Sequence, residues 1–242
     1  MTSSPNKPRA IITGASSGIG KATALQFAEA GIDLALIARS KEKLAAVASA
    51  AQKTGVEVKT YSLDLEKIEQ VKAKITELAA DFGSIDILVN NAGIGYTGNL
   101  SETPLDDWQQ VINLNLTSVF QCILGVLPRM RDRQKGTIIN VASVAAANPF
   151  PGWGAYSVSK AGLVALSKTL AAEERSHGIR VVVISPGAVN TPIWDTQTVQ
   201  ADFNRQAMLT PETVAQSILH AALLPEQAVV EEMTIMPSAG TL

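Results

Sequence analysis

The eleven residues Ala10-Ile11-Ile12-Thr13-Gly14-Ala15-Ser16-Ser17-Gly18-Ile19-Gly20 decide the fold. A short apolar, β-branched run passes through a glycine-rich turn straight into a helical stretch that reaches about Ala30. Glycine lets the backbone turn sharply and come close to a ligand. The helix that follows offers unpaired amides and the positive end of its dipole to an anion. The segment therefore reads as strand, phosphate-holding turn (Gly14, Ser16, Ser17, Gly18, Ile19, Gly20) and helix. Its spacing is not G-x-G-x-x-G, and the same glycines would also serve a turn that only packs a helix on a strand.

Outward from this unit, β-branched runs recur at Leu34–Ala38, Val56–Ser62, Ile85–Asn90, Thr137–Ala142, Arg180–Ser185 and Met233–Met236. Helical stretches separate them: Gly18–Ala30, Lys41–Lys53, Leu65–Phe82, Pro104–Met130, Tyr156–His177 and Pro211–Leu224. Strand–helix alternation predicts an α/β fold with a parallel sheet, because parallel strands need crossover connections. The strands are apolar without alternation, as strands covered on both faces should be. Thr103-Pro104 and Thr210-Pro211 open helices, while Gly31 and Gly178 close them. With no repeat and no Gly/Ser linker, residues 1–242 read as a single domain, with a short lid at about 191–210.

Composition narrows the function. Of 242 residues, 46% are hydrophobic and 17% charged, which predicts a large core and excludes disorder. Twenty basic against 22 acidic side chains, a net charge of −2, disfavour a nucleic-acid partner. The lone Cys122 cannot form an internal disulfide, which fits a reducing cytoplasm. Met1–Arg9 is polar, and no run approaches the ~20 apolar residues of a spanning helix. The expectation is a soluble cytoplasmic protein without a membrane partner.

Two local patterns suggest chemistry. The second strand ends in Ile37-Ala38-Arg39-Ser40, where an NAD site usually carries an acid for the ribose hydroxyls. Asp33 lies at the opposite end of that strand, roughly 17 Å away for five residues. Arg39 offers a planar fork for a 2′-phosphate and Ser40 a second donor, which favours NADP(H). A solvated arginine in a basic loop with Lys41 and Lys43 is the competing reading. Tyr156 and Lys160, four apart on a helix, share one face. Lowering a phenol from 10 to about 7 takes roughly 4 kcal/mol, and an ammonium at 4 Å supplies about that at an effective dielectric of 20. Such a pair is also common on ordinary helix surfaces.

Taken together, the Thr13–Gly20 turn, Asn90-Asn91-Ala92-Gly93, Asn115, Ser143, Tyr156-x-x-x-Lys160 and Pro186-Gly187, in this order, resemble the short-chain dehydrogenase/reductase family in its single-domain form. The resemblance runs nearly the whole chain, to Thr191. It implies a Rossmann-type doubly wound sheet of about seven strands, flanked by helices on both faces, and an NADP-dependent oxidoreductase (EC 1.1.1.-). It also implies roles. Tyr156 would be the general acid, Ser143 the donor to the carbonyl oxygen, and Lys160 the group that lowers the tyrosine pKa and holds the nicotinamide ribose. Asn115 would help hold a water linking Lys160 to solvent. Asp64 and Leu65 would meet the adenine, with Asn91, Ala92 and Gly93 along the adenosine ribose and the centre of the cofactor. Pro186, Gly187, Val189 and Thr191 would flank the nicotinamide. Asp64 could otherwise cap a helix beginning at Leu65, and Asn91–Gly93 could be an ordinary turn. Ala142 stands where many relatives have a second serine. His177 and His220 lack clustered acids, so no metal is expected.

For the substrate, Trp194, Phe203 and Met208 of the lid, with Tyr96, Asn148, Phe150 and Trp153, suggest a partly apolar pocket. Arg205 is either an anion-recognising residue or an exposed lid arginine. The ending Glu231–Pro237 resembles NADP-dependent 3-hydroxy acid and serine dehydrogenases. The expected activity interconverts a carbonyl and a secondary alcohol, favouring a small 3-hydroxy or 3-oxo compound. The alternatives are a 3-oxoacyl-acyl-carrier-protein reductase and, from another class, a catalytically silent NADP-binding regulator. By resemblance the chain forms a homo-oligomer, a dimer or a homotetramer, through the helices holding Asn115 and Tyr156.

Overall fold

The computed structural model describes residues 7–201 and 204–240. Seven strands, β1 (Arg9–Thr13), β2 (Asp33–Ala38), β3 (Val58–Ser62), β4 (Ile87–Asn90), β5 (Gly136–Val141), β6 (Ile179–Pro186) and β7 (Glu232–Ile235), lie in the order β3-β2-β1-β4-β5-β6-β7. Every neighbouring pair is parallel. Seven α-helices connect them: α1 (Gly18–Glu29), α2 (Lys41–Gln52), α3 (Ile68–Phe82), α4 (Leu105–Ile112), α5 (Ser118–Arg133), α6 (Gly154–Glu174) and α7 (Pro211–Ala222).

The absence of alternation in the strands is explained by two cores. Ala10 and Ile12 of β1 pack with Phe27, Leu44, Val214 and Ile218 under α1, α2 and α7. Ile11, between them, packs with Ile75, Ile123, Met130 and Leu163 under α3, α5 and α6. Since successive strand residues face opposite ways, the inner strands are buried on both faces and mostly apolar.

Two of the expected helices differ most from those observed. The helix expected from Leu65 starts at Ile68, because Asp64 Oδ1 takes the Glu66 amide at 3.1 Å and holds a turn before it. The single helix expected over Pro104–Met130 is α4 and α5 joined by a π-helical turn at Asn113–Thr117. Leu105–Arg133 as a whole is long and apolar enough to cross a membrane by length and composition, contrary to the expectation that no such run exists; 56% of its most apolar window is buried inside this protein. Cys122, Ile123, Val126 and Met130 all sit in the core. A Cβ on Gly125 would lie 2.6 Å from Ile75 Cγ2, so glycine there lets α5 lie close on α3.

The chain runs outward from β1 in both directions, to β2 and to β4, which opens a crevice at the carboxyl ends of these strands. The glycine turn, the turn after β3 and the loops after β4, β5 and β6 all leave the sheet at this edge. Asp33 lies at the other end of β2, where it accepts the Glu57 amide at 2.8 Å.

Behind the site, α5 and α6 are joined by Arg131 and a fully buried Glu174 carboxylate, whose pKa is lowered chiefly by the Arg131 hydrogen bonds. Arg131→Met leaves that carboxylate without its ion-pair partner and should lower stability in urea unfolding. Adding Glu174→Leu should restore most of it; a single variant as stable as the parent would contradict this account.

Candidate active site

A cleft of about 720 Å³ runs along the carboxyl edge of the sheet. Its floor is the glycine turn. Gly14 has φ +66°, and a Cβ there would stand 2.8 Å from Asn91 Nδ2 and 2.9 Å from Ala92 Cα. A Cβ on Gly20 would collide with the Gly14 carbonyl. Thr13 Oγ1 accepts the amides of Asn91 (3.0 Å) and Ala92 (3.1 Å), while Asn91 Nδ2 donates back to Thr13 O at 3.1 Å. The ends of β1 and β4 are thereby locked together under the turn. Ser17 sits at the N-cap of α1 without capping it, and the first helical turn carries no acid. Backbone held this close, with helix amides unclaimed by a side chain, fits a pyrophosphate.

At one end of the cleft stand Arg39, Ser40, Lys43, Asp64, Leu65 and Glu66. Arg39 is neither free nor merely solvated: its NH1 donates to Glu66 Oε1 at 3.0 Å. Ser40 caps α2, accepting the Lys43 amide at 3.3 Å and donating to Glu42 Oε2 at 3.1 Å. Lys43, read from sequence only as part of a basic loop, lines the wall.

At the other end Ser143, Tyr156 and Lys160 converge. Ser143 follows β5; its Oγ accepts the Ala145 amide at 3.1 Å and its hydroxyl lies beside that of Tyr156. Burial pushes the Tyr156 phenol above its ordinary value, and the Ser143 bond only partly opposes this. The lowering toward 7 expected from Lys160 is not found. Lys160 Nζ turns to Val141 O at 2.9 Å, lies 5.7 Å from the centre of the Tyr156 ring, and is itself pulled down to about 8 by burial. Desolvation of both groups outweighs their attraction.

Asn115 occupies the π-helical turn. Its Oδ1 accepts the Ile94 amide at 2.9 Å, and its Nδ2 donates to Ile94 O (2.9 Å) and Ser159 Oγ (3.0 Å). With both ends of the amide engaged by protein, the side chain ties the loop after β4 to α6. Gly93 lies within this junction, a Cβ there being 3.7 Å from Lys160 Nζ.

This end of the cleft is aromatic. Trp153 meets Tyr156 edge-on at 5.5 Å and Trp194 at 5.8 Å, and Trp194 Nε1 donates to Val189 O at 2.7 Å. Phe150, Pro192, Ile193, Thr196 and Met236 join this part of the lining with Pro186, Gly187, Val189 and Thr191. Tyr96 and Asn148 do not line the cleft: the Tyr96 hydroxyl turns to Asp107 and Thr103, and Asn148 is exposed in a turn closed by its amide on Val144 O. Phe203 lies outside the described residues, and Met208 is buried away from the cleft. Arg205 donates to Asn190 Oδ1, Asp195 Oδ1 and Thr191 O, so its fork is engaged within the neighbouring stretch of chain. Among the described residues no three His, Cys, Asp or Glu side chains gather as a metal site.

Residues 8–202 match the family described as short chain dehydrogenase. The chain is 42% identical over 181 residues, 74% of each chain, to the 3-oxoacyl-acyl-carrier-protein reductase FabG of Staphylococcus epidermidis. Among solved structures it superposes on an alcohol dehydrogenase of Thermococcus sibiricus complexed with 5-hydroxy-NADP, with a TM-score of 0.88, 30% identity and coverage of 96% and 97% of the two chains. It also superposes on an acetoin dehydrogenase of Salmonella typhimurium, with a TM-score of 0.86, 28% identity and coverage of 97% and 95%.

The depressed Lys160 pKa has a sign that can be measured. Between about 8 and its ordinary 10.5 the unfolded chain binds more protons than the folded one, so folding stability rises with pH there. This group contributes at most about 1.4 kcal/mol per pH unit. The raised Tyr156 pKa stabilises below the ordinary phenol value and loses its effect only above it. Urea unfolding at pH 8 and pH 10 should therefore show the parent gaining stability relative to Lys160→Met; equal changes in both would show that Lys160 is not desolvated.

Proposed function

The chain belongs to the short-chain dehydrogenase/reductase family, and from that premise we propose that it is an NADP(H)-dependent oxidoreductase interconverting a small or medium ketone and its secondary alcohol. The observation that carries this reading is one continuous cleft with an anion-holding glycine turn as its floor, Arg39 and Lys43 at one end and Ser143, Tyr156 and Lys160 at the other.

Bound NADPH supplies a hydride to the carbonyl carbon; the chain's residues bind, orient and protonate. Ser143 Oγ and Tyr156 Oη stand side by side, and each can donate a hydrogen bond to a carbonyl oxygen. A preorganised donor pair stabilises the negative charge growing on that oxygen. Because burial keeps the phenol protonated, Tyr156 is in the form needed to give its proton in the reductive direction. Lys160, with a pKa near 8, can release a proton close to neutral pH and resupply the tyrosine. We assign it a second role, holding the nicotinamide ribose. Trp153, packed edge-on against Tyr156 and Trp194, makes the wall of the reacting end apolar.

The wall also supports a substrate class. Among the described cleft residues the cations are Arg39, Lys43 and Lys160, and the first two belong to the opposite end. An uncharged 3-oxo compound with an apolar arm suits Trp153 and Trp194 better than a free acid. The 42% identity to a carrier-protein reductase favours a second reading, reduction of 3-oxoacyl thioesters. A silent regulator is disfavoured by the intact Ser143, Tyr156 and Lys160. We further propose a cytoplasmic homotetramer: Phe120 on α5 and Val158 on α6 are exposed apolar groups on the helices expected to associate, and the buried Cys122 is unpaired.

Tyr156→Phe should lower kcat by about 10²–10⁴ while NADPH affinity, followed by fluorescence titration, stays within about twofold; a largely active variant would sink the assignment. NADPH oxidation should be fastest with neutral aliphatic, cyclic or ester-bearing ketones and slower with free 3-oxo acids. Turnover confined to acyl-carrier-protein thioesters would replace the first reading by the second.

A further inference from the structure

Resting on the reading that Arg39 receives the 2′-phosphate, we propose that Glu66 sets how strongly this site prefers NADPH over NADH, by holding a fixed negative charge against the receiving guanidinium. β2 and β3 are paired in register up to Ala38 and Ser62, so the chain segments that follow them abut. Ser62 Oγ donates to Arg39 O at 2.9 Å and fixes the backbone there. Arg39 then reaches Glu66, which lies just beyond Asp64 and Leu65.

The acid is held from two sides. Asp64 Oδ1 accepts its amide, and its Oε2 accepts Gln110 Nε2 of α4 at 3.2 Å. Arg39 is 65% exposed and Glu66 only 27%, so the arginine is the mobile partner and the carboxylate the fixed one. Asp106 and Asp107 line a shallow depression together with Glu66, which adds negative charge on the same side. Ser40 cannot compensate freely, since it is occupied in capping α2. Lys43 is the second cation in the cleft wall at this end.

A 2′-phosphate on Arg39 must therefore share the guanidinium with Glu66 or displace it. Either way, the carboxylate opposes a ligand carrying nearly two negative charges. NADH presents only a hydroxyl at that point, so the penalty falls on NADPH alone. Arg39 spends one of its five N–H groups on Glu66, which leaves donors for a phosphate. The site then favours NADPH through Arg39 and limits the preference through Glu66.

Glu66→Gln keeps the shape and an acceptor for Arg39 while removing the charge. Fluorescence titrations of NADPH, NADH and adenosine 2′,5′-bisphosphate should show NADPH and the bisphosphate binding about three- to tenfold more tightly to Glu66→Gln, the scale of a partly exposed charge pair plus repulsion. NADH should change less than twofold, which also reports that the variant is folded. The gain should shrink in high salt. Arg39→Ala, measured alongside, should weaken NADPH and the bisphosphate selectively. If Arg39→Ala is selective but Glu66→Gln binds NADPH equally or less well, or tightens NADH as much, the role of Glu66 is overturned and the Arg39 reading stands. If Arg39→Ala affects NADPH and NADH alike, the Arg39 reading fails and the role of Glu66 fails with it.

Discussion

The close approach of Gly14, Gly20 and the Asn91-Ala92 backbone is the constraint on which the site depends. A Cβ at either glycine would force apart the end of β1, the start of α1 or the loop after β4. Because these three segments meet without side chains between them, α1 points its first amides along the crevice where the sheet changes direction. The Thr13 hydroxyl fixes the same junction with two accepted hydrogen bonds. Ser143, Tyr156 and Lys160 are arranged around a floor set at this point.

At the reacting end, desolvation is the stronger effect. An ammonium close to a phenol would favour phenolate in a polar medium, but here both groups are enclosed. Tyr156 is pushed up, Lys160 is pulled down, and the lysine satisfies itself on a backbone carbonyl. The pair rests as a neutral acid beside a lysine that titrates near physiological pH. Such a pair suits proton delivery to a carbonyl in a site where aromatic rings limit access to water.

Several polar residues proved to be structural ties. Arg205 binds three groups of the lid's own segment, Asn115 joins Ile94 to Ser159, and Tyr96 turns toward α4. Each carried a functional reading in the sequence because a polar side chain near a motif invites one. Partners 21 to 44 residues away absorbed the Asn115 amide. Glu66 shows the converse. No motif marks it, yet the pairing of β2 with β3 brings it to Arg39 across 27 residues.

The amino-acid sequence by itself determined the layered α/β fold, the glycine turn, the Tyr156–Lys160 face and the absence of an acid at the end of β2. All of these are local: they depend on strand and helix periods, glycine geometry and four-residue spacing. Tertiary structure decided the π-helical turn at Asn115, the aromatic wall of Trp153 and Trp194, the ion pair on Arg39 and the protonation preferences of Tyr156 and Lys160. Those features depend on which distant groups are brought within hydrogen-bonding distance and on how much water is removed around them. Such quantities are set only when the sheet has paired and both of its faces are covered.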